Sequence, residues 1–292
     1  MLTWLLEPLN YEFMRNAIAI GVIVGILCPI VGSYLIVQRM ALLGDVIAHS
    51  VMPGLSISLF LGVDILLGAF VSGILGALTI VLIRAQSRVK VDSAMALTFS
   101  SYFALGVMLI TVLQNKLDLD SFLFGDILSI TVTDIQRTLA IAVLILLVIK
   151  LFYKELLFYS FDQTGAQAIG LPINRIYMGF MVMITLTIIA SMQAVGVILV
   201  ISLLVGPALT AYLLVKELHQ IMLLGGAFGV ASSLTGVYLS YFFNLPSGPS
   251  IVLVSSSLFL LALLFSPSQG ILTRPTVTRQ LSRLLAGETR EG

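Results

Sequence analysis

Long apolar runs alternate with short polar ones along the whole chain, at the spacing of helices that cross a bilayer. The runs lie at about 15–38, 42–61, 63–84, 92–113, 134–153, 174–193, 195–215, 221–242 and 249–266. Roughly 20 apolar residues suffice for a helix to cross the hydrocarbon. The runs are continuously apolar rather than alternating residue by residue, which predicts helices and not the strands of a β-barrel. Breakers and charges gather between them, at Gln38-Arg39, Gly62 to Asp64, Arg84 to Lys90 and Leu245-Pro246-Ser247-Gly248-Pro249. Only Ala194 or so separates 174–193 from 195–215. Those two runs are either two spans or one broken element, so eight or nine spans are expected.

Lysine and arginine near span ends prefer the cytoplasmic side. The basic clusters are Arg84/Arg88/Lys90, Lys150/Lys154/Arg175, Lys216, and a tail carrying Arg274, Arg279, Arg283 and Arg290. Nine spans put all of them inside, with the N-terminus outside. Arg15, Lys116 and Arg137 then run against the trend. Residues 115–131, with Asp118, Asp120 and Asp126 among Phe122, Leu123, Phe124 and Ile127, are too short and charged to span and read as a re-entrant or interfacial piece. The expected organisation is one transmembrane domain over 1–272, with an inward loop at about 155–172, and a polar basic tail over 273–292.

Composition agrees with a lipid solvent. Hydrophobic residues make up 59% of 292 positions and charged residues 10%, with a mean hydropathy of +1.11. A soluble domain carries about 25% charged residues. Fifteen basic and fourteen acidic residues nearly cancel, which gives no electrostatic footprint for nucleic acid. Cys28 is the single cysteine, so an intrachain disulfide and a Cys-based metal cluster are both excluded. The first 14 residues hold Glu7 and Glu12 but no basic n-region of a cleaved signal peptide.

The chemistry stands out as polar residues in apolar surroundings. Asp45 and His49 are four apart in Gly44-Asp45-Val46-Ile47-Ala48-His49-Ser50, so on a helix they share a face one turn apart. A charge at mid-bilayer costs about 2.5–3.5 kcal/mol on the insertion scale, and such residues usually face a cavity and carry function. A carboxylate oxygen and an imidazole nitrogen suit Mn, Fe(II) or Zn. The alternative is an Asp45 that snorkels to water beside a merely packed His49. One copy supplies two ligands, whereas two copies around a twofold axis supply four. Met52-Pro53-Gly54 adds a kink one turn later, because proline removes a backbone donor. Asp126 either guards the outer mouth of a pathway or caps a short helix. His219, in Lys216-Glu217-Leu218-His219, reads as a solvated loop residue. Ala69 with Gly73 and Ser72 with Gly76 form small-residue pairs that let helices approach closely. Within the inward loop, about 160–170 is helix-compatible, with Asp162 placed to cap it and Gly170-Leu171-Pro172 to stop it.

Taken in order, several stretches resemble the permease subunit of the manganese/zinc/iron-type ABC importers over nearly the whole length. They are Gln38-Arg39-Met40 through Gly44-Asp45 into Ala48-His49-Ser50-Val51-Met52-Pro53-Gly54, then Phe122-Leu123-Phe124-Gly125-Asp126, then Phe161-Asp162 with Ala166, Gly170, Leu171 and Pro172. Val195-Gly196 through Gly206-Pro207-Ala208 and Leu245 to Pro249 complete the set. The resemblance implies an all-α fold similar to the vitamin B12-type permeases. It also implies a homodimer on two cytoplasmic ATPases and an extracytoplasmic metal-binding protein as donor. By position, Asp45 and His49 fall on the family's metal-coordinating pair, and Asp162, Ala166, Gly170 and Pro172 on the loop that docks into the ATPase. Gly206-Pro207 departs from relatives that often carry a bulkier aliphatic before the proline.

The reading is therefore a multi-pass cell-membrane transporter subunit with no catalysis of its own and no permanently bound cofactor. Its cargo is a divalent metal, manganese first, then zinc or iron. An ion-coupled secondary transporter is the main competitor. Gly44-Asp45 and Gly125-Asp126 distantly echo intramembrane aspartyl proteases, but the flanking Tyr-Asp and Gly-x-Gly-Asp patterns are missing. No His-Glu-x-x-His zinc motif is present either.

Overall fold

A computed structural model describes residues 7–114, 125, 127 and 129–266. Asp118, Asp120, Asp126 and the 273–292 tail lie outside the described residues. Among the described residues, a short 3-10 turn at Glu7–Asn10 is followed by twelve α-helices and no strand. They are α1 (Glu12–Val37), α2 (Leu42–Ser50), α3 (Met52–Leu61), α4 (Ile65–Gln86), α5 (Val91–Val112), α6 (Val132–Leu151), α7 (Tyr153–Phe161), α8 (Gln163–Ala168), α9 (Ile173–Val195), α10 (Val197–Leu214), α11 (Leu218–Phe243) and α12 (Ser247–Phe265). Taking α2 and α3 as one broken span, nine described segments are long and apolar enough to cross a membrane.

Local chemistry sets the helix ends. The Asp64 carboxylate accepts from the Leu66 N–H at 2.9 Å and caps α4. Thr131 and Asp134 form a reciprocal capping box at the start of α6. Gly196, at φ 82 and ψ 161, sits in a conformation open in practice only to glycine, and it alone separates α9 from α10. The ambiguity at 174–215 thus resolves into two helices joined by a single residue.

The helices gather into two groups. α1, α10, α11 and α12 pack on one another, and α2, α3, α4 and α5 form the second set. α9 touches both groups, and α6 packs against α9 and α1 on the outside. Lipid is as apolar as leucine, so helices in a bilayer associate through close packing rather than hydrophobic transfer. Glycines supply that approach. A Cβ on Gly25 would meet the Gly229 carbonyl carbon at 2.9 Å, so α1 and α11 cross with backbones in contact. Pro29 has no N–H to offer the Gly25 carbonyl one turn before it, and that carbonyl lies against Gly229. Tyr34, Phe180, Met14, Leu27, Leu43 and Ile47 fill the interior. Leu67, Val71, Leu75, Leu144, Leu147, Leu253 and Leu260 are exposed. Water would penalise so much exposed apolar surface, whereas hydrocarbon accommodates it.

Candidate metal-binding site on the broken second span

The second span breaks at Val51, one residue before the Met-Pro-Gly step. Pro53 has no N–H for the His49 carbonyl four residues earlier. The Ser50 carbonyl next to it accepts a hydrogen bond from the Ser72 hydroxyl of α4 at 2.6 Å. A buried orphan carbonyl costs about 1–3 kcal/mol, so α4 underwrites the break. The small residues expected to serve packing in the third span form this contact. Gly73 lies against Val51 and Thr185, and Gly76 lies against Ser50.

Asp45 occupies the first turn of α2 and His49 the last. A carboxylate in a first turn is favoured by the helix dipole, and this places Asp45 near one end of the span rather than at its middle. His49 Nδ1 lies 3.0 Å from the Asp45 backbone carbonyl and 3.2 Å from its Oδ1. A carbonyl only accepts, so in the neutral imidazole these partners assign the proton to Nδ1 and leave the lone pair on Nε2. The His49 side chain is 12% exposed and that of Asp45 37%. The histidine is therefore covered while the carboxylate keeps an open side.

The cover comes from α5. Phe99 and Phe103, one turn apart, meet the imidazole edge-on with ring centroids 4.7 and 5.5 Å away, and they lie parallel to each other. Such edge-to-face contacts fix ring orientation. These two residues were not singled out from sequence, where an aromatic pair four apart in an apolar run looks like any other core stripe. Among the described residues no third His, Cys, Asp or Glu joins the pair. Cys28 is buried in α1 with its thiol 3.4 Å from the Ser191 hydroxyl. His219 pairs with Glu217 at 3.3 Å, and both are largely exposed.

The loop after α6 folds into two short helices. Tyr159 anchors α7, and burial pushes its phenol up to about 12. The Asp162 carboxylate accepts from the Gly165 N–H at 2.8 Å at the start of α8. Ala166 is fully buried. Gly170, at φ 83, closes α8, with its N–H on the Gln167 carbonyl and the Leu171 N–H on the Ala166 carbonyl, the paired bonds of a Schellman motif. Pro172 follows and leads into α9. A polar cavity of about 340 Å³ lies beside α8, lined by Gln38, Arg39, Arg84, Asp92, Ser160 and Gln163. It lies between the connection from α1 to α2 and the start of α8.

A bundle of apolar helices with a broken span and an ionisable pair on the break defines a multi-pass membrane transporter subunit. The chain matches the ABC 3 transport family over residues 10–266 and belongs to it. It is 42% identical over 269 residues to the manganese transport system membrane protein MntC of Halalkalibacterium halodurans, covering 92% of each chain. It is 36% identical over 268 residues to the chelated iron transport system membrane protein YfeD of Yersinia pestis, covering 92% of this chain and 90% of the other. Among solved structures, PsaBC from Streptococcus pneumoniae in complex with Fab superposes with a TM-score of 0.84 at 40% identity, over 92% of this chain and 98% of that one. An inward-facing conformation of a putative metal-chelate type ABC transporter gives 0.62 at 20% identity, over 86% and 85%, a likeness of fold alone.

Proposed function

We propose that this chain is the membrane-spanning subunit of an ATP-driven importer for a divalent transition metal, manganese first. It works as a homodimer on two cytoplasmic ATPases and is fed by an extracytoplasmic metal-binding protein. The observation that carries the reading is the Asp45/His49 pair, stacked within 3.2 Å on a broken span with the imidazole walled in by two phenylalanines. Relatives named for manganese transport support the cargo. Two copies facing across a twofold axis bring two carboxylates and two imidazoles, and water completes an octahedron. Carboxylate and water favour harder ions such as Mn. Relatives named for iron transport make iron(II) the second cargo. Zinc accepts the same ligands and comes third.

The site binds in transit, so its affinity stays modest enough to release metal inward. α8 is the segment that docks on the ATPase, with Asp162 and Gly170 fixing its two ends and Ala166 seating it. Residues 1–272 form the permease domain, followed by the 273–292 tail. The test is uptake of labelled manganese and iron(II) into proteoliposomes holding the chain with its ATPase. His49→Ala and Asp45→Asn should each abolish uptake while leaving the complex assembled. Undiminished uptake by His49→Ala would remove the site assignment.

A further inference from the structure

A second site lies away from the Asp45/His49 pair. A cavity of about 490 Å³ opens between α6, α7 and α9. Its walls are apolar, formed by Val148, Phe152, Leu171, Ile176, Phe180 and Met183, with Glu155 and Arg175 as its charged members. Arg175 stands in the first turn of α9 and Met183 eight residues deeper, so the groove runs about 12 Å along the helix at 1.5 Å per residue. Its walls continue into the exposed apolar face of α6, where Leu144, Leu147, Leu151 and Phe152 are all uncovered. Gly179 lies on the groove wall, and a Cβ built there meets nothing within 4 Å.

Charge gathers at one end only. Arg175 lines the mouth, and Lys150 and Lys154 stand within a helical turn of the lining residues Phe152 and Glu155. All three cations lack an ion-pair partner among the described residues. Within the lining itself Arg175 faces the single Glu155, and the two exposed lysines next to it in sequence make the surroundings of the mouth net positive. An apolar slot that continues the lipid-facing surface and opens at a basic rim matches a molecule with a long hydrocarbon tail and an anionic head. Basic pockets between spans at the inner leaflet take anionic headgroups for this reason.

We propose that this groove holds an acyl chain of an anionic phospholipid, with the headgroup phosphate against Arg175. The occupant sits directly beside Leu171 and Pro172, the residues that link α8 to α9. The site is separate from the Asp45/His49 pair, so the metal reading and the lipid reading stand or fall independently.

The experiment is native mass spectrometry of the full-length chain with its ATPase partner, released from vesicles of phosphatidylcholine mixed with phosphatidylglycerol. Wild type should retain phosphatidylglycerol in preference to phosphatidylcholine. Arg175→Gln should cut that retention about fivefold, the factor expected for one basic side chain at a charged surface. Gly179→Leu fills the slot from a position with free space around it, and should remove the retained lipid with the melting temperature held or raised. Equal retention of the two lipids by wild type overturns the proposal. So does unchanged phosphatidylglycerol on Gly179→Leu. A Phe152→Cys cross-link to the ATPase or to a second copy would show the groove occupied by protein instead, and would overturn it as well.

Discussion

His49 reaches its orientation through three neighbours, two of which carry no atom that could bind a metal. Asp45 holds Nδ1 from one side, and Phe99 and Phe103 close on the ring from α5. Groups that orient a metal ligand typically change affinity 10–100-fold when lost. Phe99→Ala and Phe103→Ala should therefore raise the manganese concentration for half-maximal uptake by roughly 10-fold or more, with a smaller drop in maximal rate. Uptake measured against metal concentration separates the two quantities. An unchanged half-maximal concentration would reduce the phenylalanines to packing. The Asp45/His49 pair was legible in sequence because its spacing alone places both residues on one helix face. The phenylalanines were not, because periodicity within α5 does not reveal which neighbour a given face meets. Ser72 was read only as a small packing residue. Its hydroxyl bond to the Ser50 carbonyl depends on where α4 crosses α2, which is a tertiary fact. Ser72→Ala should leave that carbonyl unpaired and lower stability by about 1–3 kcal/mol.

At the scale of elements, the crossing of α1 and α11 makes a paired test. Gly229→Ala sets a methyl group against the Gly25 carbonyl and 2.7 Å from Pro29 Cγ. Overpacking of this kind costs about 1–3 kcal/mol. Gly226, one turn away on α11, has nothing within 4 Å of a built Cβ. Gly226→Ala should be neutral or stabilising by up to about 1 kcal/mol, since alanine is the better helix former. Melting curves in detergent should separate the two variants clearly, and equal effects would contradict the backbone contact. Gly206 has a reason of its own: a Cβ there would come within 2.6 Å of the Ser255 hydroxyl of α12. Helix limits were the most legible feature of this scale. The expected run at 134–153 became Val132–Leu151, and that at 92–113 became Val91–Val112. The two-helix form of the inward loop was only half visible, because Phe152 alone separates α7 from α6 and no proline or glycine marks the joint.

For the whole molecule, the basic clusters predict an orientation with the N-terminus outside, and it can be measured. In a background where the buried Cys28 is replaced by alanine, cysteines at Val63 and Ile169, both exposed, should react from opposite sides of a sealed membrane. A charged maleimide added outside intact cells should label Val63→Cys and spare Ile169→Cys, and the reverse pattern would invert the topology. The grouping of helices was not readable in the sequence. Which apolar runs pair with which depends on glycine and serine positions several runs apart, as at Gly32 of α1, which lies against the Leu204 backbone of α10.

The single-residue joint at Gly196 limits how this protein can move. Two long rods tied together at one tip cannot slide past each other by a turn; they can only splay, like the legs of a compass. Gly125 lies against the backbone of Val195 and Gly196 at that tip and braces the pivot. The free ends of the pair lie at the other surface, where α9 begins beside α8. A push delivered there works on the pivot through the full length of α9.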